Sequence, residues 1–363
     1  MATLGRVGGF LITDEKVRKK LSDRMFHAAM ENSKWSQFMG TGDDSVIKTQ
    51  EELGIEEGAS VIMRFRGLVR GEGITGDTEF AGNEDNLPYL KQKVEVELIG
   101  NSLKSEGRLS RQRDAINFRA DATEGLTDWA TNKMDKIIYT RMSTNPTNRL
   151  IAGTTDDNDV ANLTNASVFT TADISRAKYL ATRGFRTAGA GQPLVAAHRI
   201  PPFKAQSAQN GGLMTMRKFY VLKVGSKQAN DLRQDTDWVQ AQKELGLGNL
   251  QFTSMLGIWE DVIVIEDGTE HPDYAGIIES NNGTVYYENA LFLGRTAMLM
   301  PMDGNLQYWE DEVDMGRKMA VGVDWVFGLS KTKFEGTRDD ETGTSWHNQD
   351  FGGIVISSYA RDV

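Results

Sequence analysis

The sequence predicts an α+β chain organised around one long helix, and three observations carry that expectation. From about residue 110 to about residue 142, Ala115, Phe118, Ala122, Leu126, Trp129, Ala130, Met134, Ile137, Ile138 and Met142 recur at three- and four-residue steps, with charges on the other faces. From residue 59 the period changes to two, and Val61, Met63 and Phe65 are matched by a second alternating run, Val94, Val96 and Leu98. After the helix, short helical and strand patterns alternate for about 150 residues, which describes a mixed α/β domain.

In chain order, residues 13–30 read as an amphipathic helix with Val17, Leu21, Met25 and Ala28 on one face. Residues 32–45 carry Trp35, Phe38 and Met39 among polar residues, the pattern of an arm that docks on something else. The two alternating runs predict an antiparallel ladder in which Arg64 or Arg66 faces Glu95 or Glu97. Between them residues 71–89 form a connection far longer than an economical hairpin loop. Its Ile74, Phe80 and Leu87 are apolar residues that a solvated loop does not need, so a projecting arm that buries them on another subunit is expected. The long helix has Ser110 as candidate N-cap and ends at Ser143, Thr144, Asn145 and Pro146; at this length it spans roughly 50 Å. Trp129 is expected to be buried against the subunit's own sheet. Further on, residues 170–183 read as a helix, 194–200 as a strand ended by Pro201 and Pro202, 219–224 as a strand, and 226–235 and 237–245 as helices. Residues 261–266 read as a strand buried on both faces, 289–300 as a helix, and 320–333 as a strand with Val321, Val323, Trp325 and Phe327 on one side. The remainder is polar and glycine-rich until Ile354–Ile356.

Composition narrows the chemistry. With 363 residues the chain is long for one core, and with no cysteine it has neither disulfides nor a thiolate nucleophile. A net charge of −10 argues against a general nucleic-acid binder but not against a container around nucleic acid. The N-terminal residues lack the apolar region of a signal peptide and no run is long enough to span a bilayer, so a soluble, cytoplasmically made protein without a membrane is expected. Gly71-Glu72-Gly73-Ile74-Thr75-Gly76 spells the dinucleotide fingerprint after a strand, and a cytoplasmic dinucleotide- or phosphate-binding enzyme using that loop is the alternative function. The residues that follow have no helical apolar face to supply the helix N-terminus that binds pyrophosphate. His27, His198, His271 and His347 are scattered, and Glu310, Asp311, Glu312 and Asp314 lack the spacing of a calcium loop and read as a solvated turn. No catalytic residue, cofactor or metal site is therefore expected.

Several local signatures occur in order along the chain: Gly71-Glu72-Gly73-Ile74-Thr75-Gly76-Asp77 with Gly82-Asn83-Glu84 and Leu87, then Leu109-Ser110-Arg111-Gln112-Arg113 and Leu126-Thr127-Asp128-Trp129. Tyr220-Val221-Leu222, Leu232-Arg233, Trp238 and Ala290-Leu291-Phe292-Leu293-Gly294 follow. Together they resemble the major capsid proteins of tailed bacteriophages with the HK97-type fold, in particular the phage N4-type major capsid protein family. The resemblance implies an N-terminal arm (1–54), an extended β-hairpin loop (55–107), the spine helix of a peripheral domain (108–144), a mixed α/β axial domain (145–301), a return to the peripheral domain (302–335) and a C-terminal tail (336–363). It implies a structural protein rather than an enzyme: many copies, as hexamers and pentamers, form an icosahedral shell around double-stranded DNA, assembled in the host cytoplasm and carried in the virion. Decoration, portal and scaffold proteins belong to the partners it suggests. Ile74, Asp77, Phe80, Glu84 and Leu87 would make the loop's inter-subunit contacts, and Trp35 and Phe38 those of the arm.

Overall fold

A computed structural model describes residues 15–50, 60–66, 75–76, 79, 82, 89–106, 118–153, 160–184, 199–207, 215–245, 255–266, 277–279, 286–304, 306–313, 315, 318–333 and 349–360. The long helix, α2 (Phe118–Ser143), follows α1 (Glu15–Asn32). Its residues Ala122, Leu126, Ala130, Met134, Ile138 and Met142 are all buried, one every fourth position. Four residues overshoot a full turn by about 40°, so this row winds around the helix and faces different neighbours at its two ends. At its middle α2 meets α1, where the Thr131 hydroxyl donates to Ala29 O at 3.2 Å and Ser33 Oγ donates to Asp135 Oδ1 at 2.6 Å. Near the end Tyr139 donates to Asn289 O at 2.9 Å. The helix thereby joins two sheets. Residues 107–117, with the expected N-cap Ser110, lie outside the described residues.

The first sheet is antiparallel, in the order β13 (Gln307–Val313), β14 (Lys318–Gly328), β4 (Tyr89–Lys104) and β3 (Ser60–Arg66). Along β14 Met319, Val321, Val323, Trp325 and Phe327 are buried in alternation, as the pattern predicts, and the core they form includes α2. The second sheet has eight strands. Its main path is β5 (Arg149–Ile151), β16 (Gly353–Tyr359), β11 (Tyr286–Leu293), β7 (Thr215–Val224), β9 (Val262–Glu266) and β8 (Met255–Trp259), with β6 (Phe203–Ser207) on β7 and β10 (Ile277–Glu279) on β11. One face, with Val221, Ile263, Leu291 and Val355, packs into the α2 core. The other, with Leu222, Val264, Phe292 and Ile356, packs under α3 (Thr171–Arg183), α4 (Ser226–Gln234) and α5 (Thr236–Leu245). Burial on both faces is why residues 262–265 read as a continuous apolar run. A smaller sheet, β1 (Met39–Gly40), β2 (Ile47–Gln50), β12 (Met298–Pro301) and β15 (Ser330–Lys331), links the N-terminal segment to the rest.

Several expectations are corrected. Residues 289–300 are two strands, not a helix: Leu, Met and Ala are good helix formers, but the run lies inside two sheets, and tertiary burial overrides propensity. Of the strand expected at 194–200, residues 194–198 lie outside the described residues and Arg199 and Ile200 are not in a strand; after the prolines, which cannot donate to a ladder, a strand runs over Phe203–Ser207. Ile354–Ile356 belong to β16, between β5 and β11 in the large sheet. In the hairpin, Arg64 faces Lys91 and Arg66 faces Tyr89, not Glu95 or Glu97. That register lets Met63 and Phe65 share one cluster with Leu90 and Val94. In α1 the buried face is Ser22, Met25 and Ala29, while Val17 is exposed. Trp129 is only half-buried, since the winding row passes beside it. Glu310, Asp311 and Glu312 lie on strand β13 rather than in a turn, and Arg119 grips Glu310 through Nε to Oε1 at 2.6 Å and Nη2 to Oε2 at 3.0 Å.

Candidate assembly interface

The antiparallel pairing of β3 with β4 settles what the glycine-rich connection joins: a hairpin, not the strand-to-helix crossover of a dinucleotide site. Gly76 and Gly82 hold φ of 76° and 89°, in the left-handed region that favours glycine. Ile74, Asp77, Phe80, Glu84 and Leu87, the expected contact residues, lie outside the described residues.

Beside the hairpin root, β4 and α2 diverge around a groove of about 810 Å³. Lys93, Glu95 and Glu97 line one wall, Lys133, Lys136 and Arg141 the other, with Leu98, Ile137 and Leu329 between them. Because side chains alternate along a strand, Lys91 shares a face with Lys93, and the register places Arg64 beside Lys91. Like charges directly opposite on a ladder repel. Four cations thus line the groove against two carboxylates, with Lys91 and Arg64 continuing the basic strip beyond it, in a chain whose net charge is −10. Arg141 reaches Glu97 at 4.0 Å. Among the described residues Arg64, Lys91, Lys93, Lys133 and Lys136 have no carboxylate within ion-pair distance. Leu98, 67% exposed at the margin of the groove, alternates onto the opposite face of β4, the face of Gly100 and Asp324. The groove therefore carries a net positive charge, with Ile137 and Leu329 in its apolar lining.

On the far face of the same sheet Trp309 and Asp324 flank Gly100 and Gly322, and the indole donates to Asp324 Oδ1 at 2.9 Å. Trp35 and Phe38 are found elsewhere than expected. Both are buried in the subunit's own core, Trp35 at 0% exposure, with the Lys223 ammonium 3.6 Å from its ring centroid. Neither side chain leaves a surface for a neighbour, so the docking read from this segment is intramolecular. Sequence reasoning missed the groove, because its walls are more than thirty residues apart. The unpaired excess of lysine on one face of α2 was the only local signal. Among the described residues no cluster of three histidine or acidic side chains converges as a metal site would require, and no helix is long and apolar enough to cross a membrane.

A phage capsid protein family model matches residues 12–362. The chain is 25% identical over 337 residues to the major structural protein ORF14 of Helicobacter pylori bacteriophage KHP30, covering 81% of this chain and 83% of that one. It is 24% identical over 353 residues to the major capsid protein of Pseudomonas phage KPP25, covering 88% and 89%. Among solved structures it is similar to the head of Helicobacter pylori bacteriophage KHP40, with a TM-score of 0.68, 24% identity and 91% of each chain covered. The capsid of Ralstonia phage GP4 gives a TM-score of 0.68 at 22% identity over 90% of each chain. With the family model spanning nearly the whole chain and these folds matching over about nine-tenths of it, the chain belongs to the phage capsid protein family, as a major capsid protein of HK97-like fold.

Proposed function

We propose that this chain assembles, as hexamers and pentamers, into an icosahedral shell that encloses double-stranded DNA, and that each copy lays its extended loop into the basic groove of the next. It performs no catalysis; its work is closure. The subunit is assembled in the host cytoplasm and retained in the virion, where portal, scaffold and decoration proteins are further partners. The observation that carries the loop contact is charge complementarity. Residues 71–87 hold Glu72, Asp77, Glu79, Glu84 and Asp85 with no lysine or arginine, and the groove carries the opposite excess.

Magnitudes assign the roles. Exposed ion pairs contribute at most about 1 kcal/mol each and are screened by salt. Burying Ile74, Phe80 and Leu87 contributes about 1.5–3 kcal/mol apiece, so the apolar residues hold the loop and charge sets its register. Repeated over many copies, contacts of this size close a shell cooperatively while each remains correctable.

The test is charge reversal in the full chain. Lys133→Glu with Lys136→Glu is expected to leave a folded subunit with unchanged circular dichroism but no closed shells by negative-stain microscopy. Adding Glu79→Lys and Glu84→Lys is expected to restore them. Normal shells from the groove variant alone would reject the loop–groove contact.

A further inference from the structure

The connection from β11 to β12, residues 294–297, touches three parts of the subunit at once. Gly294 lies so close to Ile200 and Pro201 that a Cβ there would fall 2.5 Å from Pro201 O, and Arg295 N donates to that same carbonyl at 2.9 Å. Thr296 has φ of 48°, an unusual left-handed conformation for a β-branched residue. Contacts from the turn at residues 40–45 hold it there: Thr296 N donates to Ser45 O at 2.7 Å and its hydroxyl to Asp43 O at 2.8 Å.

The same turn reaches the hairpin through two cations. Asp43 holds Lys48 Nζ at 2.6 Å, and that ammonium also donates to Arg64 O at 2.6 Å. Asp44 holds Arg295 Nη1 at 3.4 Å and Lys204 Nζ at 3.2 Å, while Arg295 Nη2 lies 3.5 Å from Arg66 O. Arg64 and Arg66 are two apart on β3, so their carbonyls point the same way, along the edge that pairs no strand among the described residues. Lys48 and Arg295 therefore occupy the bonding positions of an absent strand.

We propose that the turn at residues 40–45 is a latch that fixes the angle at which the β3–β4 hairpin leaves the subunit, with Thr296 as its strained pivot. While the turn is docked, its carboxylates hold both cations against the β3 edge. When it lifts, Thr296 relaxes out of the left-handed region, the cations lose their anchors and the hairpin root loosens. An event at the N-terminal segment is thereby transmitted to the loop without passing through the main core.

Hydrogen exchange on the unassembled full-length subunit tests this, independently of where the loop docks on a neighbour. Asp43→Asn with Asp44→Asn is expected to accelerate amide exchange at least tenfold in peptides covering 60–66 and 89–95, with those of β9 and β11 unchanged. Lys48→Met, which removes one anchor and leaves the turn's own backbone bonds, is expected to give the same pattern at smaller amplitude. Acceleration confined to residues 40–50 would overturn the proposal, as would acceleration spread evenly through β9 and β11.

Discussion

Glu288→Gln is the substitution whose consequence follows most completely from the structure. Glu288 sits on β11, 2% exposed, with its carboxylate under the N-terminus of α4 and Gln228 N donating to Oε2 at 3.1 Å. Gly225 makes that approach possible, since a Cβ there would lie 1.7 Å from Oε1. Burial, opposed by the amides of Gln228 and Lys227 and reinforced by the Asp231 carboxylate, pushes the Glu288 carboxyl up to about 7 from 4.5. The folded subunit therefore binds this proton more tightly than the unfolded chain does. Stability from this residue is fully present below about pH 4.5 and is lost as pH rises through about 7. At 1.36 kcal/mol per unit the loss is about 3 kcal/mol. Urea unfolding of the unassembled subunit at pH 5, 6, 7 and 8 measures it. The wild-type chain is expected to lose stability across this range relative to Glu288→Gln, which cannot ionise and still accepts from Gln228 N. Parallel curves for the two proteins would refute the reasoning.

Other expectations follow from burial and composition. Leu126→Ala, in the buried row of α2 and 1% exposed, is expected to cost about 3 kcal/mol in denaturant unfolding. Trp129→Ala, half-buried one turn away, should cost clearly less, and equal losses would mean that the winding row is misplaced. Because residues 71–89 contain no lysine and the chain no cysteine, the shell is expected to be non-covalent. Mature particles boiled in detergent should run as one band near the sequence mass, and a ladder of covalent multimers would contradict this.

What was legible in the sequence was local. The four-residue row of α2 and the alternation of β14 state their own buried faces, and Thr170 and Asp173 cap α3 from within four residues of each other, with Thr170 N donating to Asp173 Oδ2 at 3.0 Å. Residues 289–300 misled because an apolar run is compatible with a helix or a doubly buried strand, and only partners distant in sequence decide between them. Trp35 misled similarly: its neighbours are polar, while what buries it includes Lys223, nearly two hundred residues away. The Arg64–Lys91 pairing was hidden because hairpin register depends on which residues bury together, and charges accommodate that choice. The groove needed the same long-range information, since neither β4 nor α2 alone encloses anything.

Electron cryomicroscopy of assembled particles shows directly where the extended loop docks. Density is expected for residues 71–87 of each subunit in the groove between β4 and α2 of its neighbour, with Glu79 and Glu84 beside Lys133 and Lys136. A closed shell in which that groove is empty, or in which the loop lies elsewhere, would contradict the loop–groove contact.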